Sequence, residues 1–277
     1  SLMSDQMLKA YADQWNTTMG IQVQQTDSLL SPFVNIDTVL KGDNAYYRSY
    51  DRTELAEVTA RNAPTPYTET AQWLRQNKLR EFAKYELIDA KDNIAAVVDV
   101  NSGLSQAFLA AANRAKDRQI LAAVSGTSYG ISATQDISGG RDQAIAFDSG
   151  QAIAASATGL TFQKILAASD LIGQSVVPPN WKKVFVVTQK QLTQMLASAD
   201  IASNDYNIEK PRVEGNITYY LGFNFVKVDA QLLPKANGVR TCFAFYGDSI
   251  TLRMPGGDRF AINEVTERSL NYQMAAK

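Results

Sequence analysis

The sequence predicts an α+β chain, and three stretches carry that expectation. From Gly103 to about Val124 the residues are mostly small and helix-favouring, and Leu104, Phe108, Ala111, Ala112, Ala115 and Ala122 mark out one face of a helix. From Gly215 onward, aromatic and β-branched residues come in short runs divided by Gly, Pro and Asn, as strands and turns do. Between 42 and 88, aromatic and charged residues alternate along two runs on either side of Asn62-Ala63-Pro64-Thr65-Pro66, the pattern of a long hairpin with a proline-stiffened tip.

Composition narrows the function. The 277 residues are 45% hydrophobic and 20% charged, which suits a folded chain with a sizeable core. Lys and Arg number 27 against 28 Asp and Glu, so the overall field is too weak to draw the protein onto nucleic acid by counterion release. There is no histidine, which removes Ser-His-Asp and Cys-His catalysis and the commonest transition-metal ligand. Cys242 is the single cysteine, so there is no intrachain disulfide. Within Thr241-Cys242-Phe243 it reads as a small buried hydrophobe and not as a nucleophile. No apolar run approaches the roughly 20 residues that span a bilayer, and no signal-peptide pattern opens the chain. These features predict a soluble intracellular product that touches no membrane.

Along the chain, Met7, Leu8, Tyr11, Trp15 and Met19 place one apolar stripe on a helix over residues 1 to about 22, and Gln22 to Phe33 reads as extended. Together they predict an arm. The hairpin of 42–88 cannot bury enough apolar surface to stand alone in water. Its partner is therefore expected to be another chain, with Arg48, Arg52, Glu54, Glu57, Arg61, Arg75 and Arg80 facing that neighbour; the alternative is a ribbon lying on its own domain with its charges solvated.

Asn101 or Ser102 can cap the long helix, and Gly126 suits its stop. Leu104, Phe108, Ala111, Ala112 and Ala115 are expected to pack against a sheet, and Arg114, Asp117 and Arg118 to form a solvated or ion-paired polar side. Residues 125–158 are Gly- and Ser-rich with short β-like pieces and no phosphate-binding fingerprint. A helix from Thr161 to about Ile172 follows, then a buried strand at Val184–Val187 feeding a capped helix with Leu192, Met195 and Leu196. Ile250–Arg253 and Arg259–Ile262 bracket a turn, and Val265–Lys277 reads as a helix.

The order of these parts resembles the major capsid proteins of tailed bacteriophages with the HK97-type fold. Arg114-x-x-Asp117-x-x-Ile120-x-x-Ala123-x-x-Gly126 is similar to a stretch of that family's long helix. Glu54–Arg61 with the Pro-Thr-Pro tip resembles its E-loop. Val184–Leu196 resembles its strand, Val-Thr, then Gln-Leu element, and Gly215–Phe223 its G-x-I-x-x-x-x-G-F element. The resemblance covers nearly the whole chain. One departure is that the family commonly closes on a strand after its last helix, where this pattern ends at Lys277.

The resemblance implies an N-arm over 1–41, an E-loop over 42–88, a P-domain over 89–158 and 246–277 with a spine helix at 103–124, and an A-domain mainly over 159–245. It implies a shell of pentamers and hexamers around double-stranded DNA, assembled in the bacterial host cytoplasm and residing in the virion. Scaffolding, portal and decoration proteins would be partners, and the packaged DNA would be touched weakly and without specificity. Two rivals remain: an encapsulin-like nanocompartment shell, and a carboxylate-based hydrolase using Asp89, Asp92 and Asp99. For those three aspartates, helix capping and solvated charge explain the residues better, since their spacing puts them on no shared face.

Overall fold

Apolar side chains at every position from Val184 to Val187 demand cover on both faces of the strand they form, and much of the chain is arranged to supply it. The computed structural model describes residues 25–38, 42–55, 57, 69–88, 100–132, 137–156, 158–174, 177–197, 218–255, 259–265 and 271–276. In order, its elements are β1 (Asn35–Asp37), β2 (Asn44–Tyr50), β3 (Gln72–Lys78), β4 (Lys84–Ile88), α1 (Val100–Ser125), β5 (Ser128–Ile131), β6 (Gln143–Ile145), α2 (Phe162–Gly173) and β7 (Lys183–Val187). There follow α3 (Gln189–Ala197), β8 (Tyr219–Tyr220), β9 (Phe223–Lys227), β10 (Lys235–Ala236), β11 (Val239–Arg240), β12 (Phe243–Tyr246), β13 (Thr251–Arg253), β14 (Phe260–Val265) and β15 (Asn271–Ala276). A core unit takes Ser1–Val39, Glu81–Val124 and Gln151–Lys277; a hairpin unit takes Leu40–Arg80 and Ser125–Gly150.

In the core unit β7 lies inside a four-stranded sheet of order β12-β7-β9-β8, parallel to β9 and antiparallel to β12. Alternation sends Val184 and Val186, with Val226, Phe243 and Phe245, to one face, where Ile120 and Leu121 of α1 meet them together with Leu30 and Val34. Phe185, Val187, Phe223 and Phe225 line the other face against Phe162 and Ile165 of α2 and Leu192 and Met195 of α3. Phe185 stacks on Phe225 at 5.2 Å and meets Phe223 edge-on at 5.5 Å.

The joint between β7 and α3 is built locally. The Gln191 side chain accepts from the Thr188 backbone N–H at 3.1 Å and from the Thr188 hydroxyl, a capping box that starts the helix directly after the strand. Between β8 and β9, Leu221 and Gly222 both have positive φ, 48° and 79°, as a two-residue hairpin turn requires.

A second, three-stranded sheet of order β14-β15-β4 packs Ile88 and Met274 on Phe108 in the N-terminal half of α1. The expected helix over Val265–Lys277 is not there: Asn271–Ala276 is a strand paired with both β4 and β14. Its period is two, with Met274 buried, and a short run of that kind is recognisable only when its partners are known. The chain thus ends its described part on a strand. The runs Ile250–Arg253 and Arg259–Ile262 both carry strands, and these join different partners: β13 pairs in parallel with β1, β14 with β15.

Residues 25–37 form a strap across the core unit. Leu30 is 0% exposed, and a single 3-10 turn at Ser31–Phe33 brings the chain into β1. At Gly247 a Cβ would lie 1.9 Å from the Phe33 carbonyl oxygen, so only glycine lets the strap lie this close. The described part of the expected arm is therefore bound to the core; the helix expected over residues 1 to about 22 lies outside the described residues.

Several variants test this packing. Leu30→Ala removes a fully buried side chain from the strap and is expected to cost about 2–5 kcal/mol. Ala110→Leu overpacks a buried site on α1 for about 1–3 kcal/mol, and Ala112→Leu, only half-buried, costs less than either; denaturant midpoints give the ranking. Cys242 packs against the second face of the main sheet, and burial pushes its thiol from 9.0 up to about 11, with Lys164 pulling weakly the other way. A raised folded-state pKa stabilises below the unfolded value and is lost as pH climbs through the folded one. The native subunit should thus lose stability between pH 9 and 11, and a Cys242→Ala variant should lose less over the same titration.

Candidate assembly surface

The hairpin unit is a four-stranded sheet of order β2-β3-β5-β6, antiparallel throughout. The β2–β3 hairpin pairs Asn44 with Lys78 through Tyr50 with Gln72. The Gly- and Ser-rich stretch after α1, which read as connecting loop with short β-like pieces, supplies β5 and β6 and so gives the hairpin an intrachain partner. Gly130 makes this possible. It has φ +150°, and a Cβ there would lie 1.8 Å from the Leu74 carbonyl oxygen, so a side chain at 130 would force β5 away from β3. The return leg of the expected hairpin stops short: Lys84–Ile88 leaves this sheet and pairs with β15 in the core unit.

Register sorts the side chains of this sheet into two faces. One carries Tyr46, Arg48, Tyr50, Leu74, Tyr129 and Ile131, since Arg48 opposes Leu74 and Leu74 opposes Ile131. The other carries Tyr47, Trp73, Arg75 and Ser128. Tyr50 is 64% exposed and Tyr129 49%. Tyr46 donates to Asp142 at 2.9 Å, and that hydrogen bond raises its phenol pKa. Among the described residues, none of the buried hydrophobic side chains belongs to this unit. Its sheet is held by backbone pairing and polar contacts, with aromatic area left facing outward.

The sequence-selected charges divide on inspection. Arg48, Arg52, Glu54, Glu57 and Arg80 are exposed, and Arg52 meets Glu54 at 2.6 Å in a solvated ion pair. Arg75 is different. Its guanidinium donates to the Ser128 hydroxyl and lies 5.1 Å from the Trp73 ring centroid, while burial lowers its pKa; it ties β3 to β5 within its own sheet. Arg61 lies outside the described residues, as do Asp89, Asp92 and Asp99.

On α1, Phe108 is buried, while Leu104, Ala111, Ala112 and Ala115 are half-buried. The most buried side chains are Phe108, Ala110, Asp117, Ile120 and Leu121. Asp117 corrects the expectation of a solvated polar side, because it is 0% exposed. Its Oδ1 accepts from the Ser28 hydroxyl at 2.6 Å and the Leu30 N–H at 3.2 Å, and its Oδ2 from the Leu29 N–H at 3.1 Å and the Gln25 side-chain amide. Alongside, Arg114 donates to the Gln25 carbonyl and Asn113 to the Thr26 carbonyl, each at 2.9 Å. Arg118 is exposed.

Among the described residues no group of three acidic or thiol side chains is placed to hold a metal ion, and no helix is long and apolar enough to cross a membrane. What the geometry offers is surface: an aromatic and basic sheet face without a core of its own, carried by a chain whose other unit is well packed.

A family model described as phage capsid protein matches residues 7–277. Curated proteins give no sequence match. Among solved structures the chain is similar to the capsid of cyanophage P-SCSP1u, at TM-score 0.69 and 12% identity over 97% of this chain and 88% of that one. It is similar to a structure from Mycobacterium phage Che8 at TM-score 0.68 and 15% identity, covering 95% and 89%. The capsid of cyanophage Pam1 aligns at TM-score 0.67 and 12% identity, covering 95% and 89%. At these identities the likeness to the solved structures is one of fold, a mixed α+β chain. The family match spans nearly the whole sequence, and the chain belongs to the phage capsid proteins: it is a structural subunit of a bacteriophage shell.

Proposed function

We propose that the subunit builds an icosahedral head of pentamers and hexamers around double-stranded DNA, with the hairpin unit as the part that engages neighbouring copies. In this reading the chain has the HK97-type layout. The hairpin is its E-loop, α1 its spine helix, the β14-β15-β4 sheet part of its P-domain, and the β12-β7-β9-β8 sheet with α2 and α3 its A-domain. The segment before β1 is the root of its N-arm.

The observation that carries the proposal is the contrast between the units. The core unit buries apolar side chains on both faces of its main sheet, whereas the hairpin unit leaves Tyr50 and Tyr129 open on one face of its sheet. A sheet without a core of its own is marginal in water, and exposed aromatic area of this kind is typical of surfaces that become buried on association. Arg48, Arg52, Glu54, Glu57 and Arg80 then surround the contact as a charged rim that sets register more than affinity.

The subunit performs no catalysis in this role and needs no cofactor. It is assembled in the host cytoplasm and ends in the virion, with scaffolding, portal and decoration proteins as further partners. The packaged DNA is contacted without sequence preference, in keeping with a net charge of −1.

The test is a pair of substitutions on the open face. Tyr50→Asp with Tyr129→Asp is expected to change subunit stability by no more than about 0.5 kcal/mol per site, because both side chains are exposed. Sedimentation of the wild-type chain should show capsomers or shells, and the double variant should remain as single subunits. Normal shells from the double variant would remove this face from the interface. Particles of the wild-type chain holding protein cargo and no DNA would point to a nanocompartment instead.

A further inference from the structure

The motif residues Arg114 and Asp117 are not absorbed by the assembly surface, and the structure gives them a different task. Asp117 is a carboxylate with no exposed area, in the C-terminal half of α1, and its two oxygens accept from two backbone N–H groups and two side chains of residues 25–30. Arg114 and Asn113 hold the carbonyls of Gln25 and Thr26 in the same segment. Hydrogen bonds to an ionised acceptor are the strong ones, and a buried carboxylate that loses its donors is costly. The strap and α1 are thus locked together by polar contacts that demand particular geometry, next to the apolar contact through Leu30, which does not.

The place of this lock in the chain gives it a role. The chain crosses between the two units after Val39, Arg80, Val124 and Gly150. The strap leads to the first of these crossings and α1 to the third, so within the core unit Asp117 pins together two of the segments that continue into the hairpin unit. We propose that Asp117, with Arg114 and Asn113, is a positioning clamp for assembly. It holds the strap on α1 so that both segments leave the core unit from a fixed base, and a subunit without it folds its main sheet but assembles poorly. This inference rests on the hairpin unit being the part that engages neighbouring copies.

The experiment compares Asp117→Asn with Arg118→Gln, the exposed next residue on the same helix, in the full-length chain. Amide hydrogen exchange at Leu29 and Leu30 reports the clamp, exchange in β7 and β9 reports the core, and the subunit concentration at which particles first appear in light scattering reports assembly. Asp117→Asn should speed exchange at Leu29 and Leu30 and raise the assembly threshold, each by about tenfold or more, while β7 and β9 stay protected. Arg118→Gln should change neither. An unchanged threshold with Leu29 and Leu30 exchanging freely overturns the proposal, and so does unchanged exchange at those two amides. If Asp117→Asn does not fold, Ser28→Ala, which removes one donor and leaves the carboxylate, is read by the same two measurements. There too, a threshold that does not rise overturns it. Failure of the wild-type chain to assemble under any condition would instead count against the reading of the hairpin unit.

Discussion

A strand that is apolar on both sides cannot sit at a surface, and β7 imposes that condition on much of the core unit. Val184 and Val186 need cover on one face, Phe185 and Val187 on the other. The second face is served by elements near in sequence, since α2 precedes β7 and α3 follows it directly through the Thr188–Gln191 capping box. The first face is served from far away. Ile120 and Leu121 come from the last turns of α1, and Leu30 and Val34 from the strap. The first face of the main sheet is therefore covered jointly by the long helix and the strap, and the buried Asp117 carboxylate stands where those two meet.

The hairpin unit obeys no such condition. Its strands pair in sequence-distant order, β3 joining β5 through the close approach at Gly130, yet none of the described buried hydrophobic residues lies in it. A shell subunit benefits from this division. If, as proposed, the open sheet face is where copies meet, its aromatic area is buried only in the particle, while the core unit already covers its own apolar side chains. The aromatic side chains left open on the sheet would be a liability in a protein meant to stay monomeric, and are useful in one meant to associate.

Several elements were legible from the sequence because their signals are local. The Val184–Val187 run, the capped start of α3 after Thr188 and the small-residue run of α1 each declare themselves within a few residues. The features that were not legible depend on distant partners. Asp117 sits between Arg114 and Arg118, where a carboxylate reads as solvated, and nothing nearby says that Leu29 and Leu30, almost ninety residues earlier, will donate to it. The face of α1 was read around Leu104, Phe108, Ala111, Ala112 and Ala115; of these Phe108 is buried, and the rest of the buried set is Ala110, Asp117, Ile120 and Leu121; the polar residue among them hides the apolar period. Asn271–Ala276 likewise becomes a strand only because β4 and β14 flank it.

The central claim is that the core unit is self-sufficient and the hairpin unit is completed by neighbouring copies. Amide hydrogen exchange measured on free subunits and on assembled particles tests it most directly, because protection reports the local opening of each strand. The account predicts slow exchange in β7 and β9 in both states, with β2 and β3 exchanging rapidly in the free subunit and becoming protected in the particle. Equal protection of β2 and β3 in the free subunit and in the particle would contradict it.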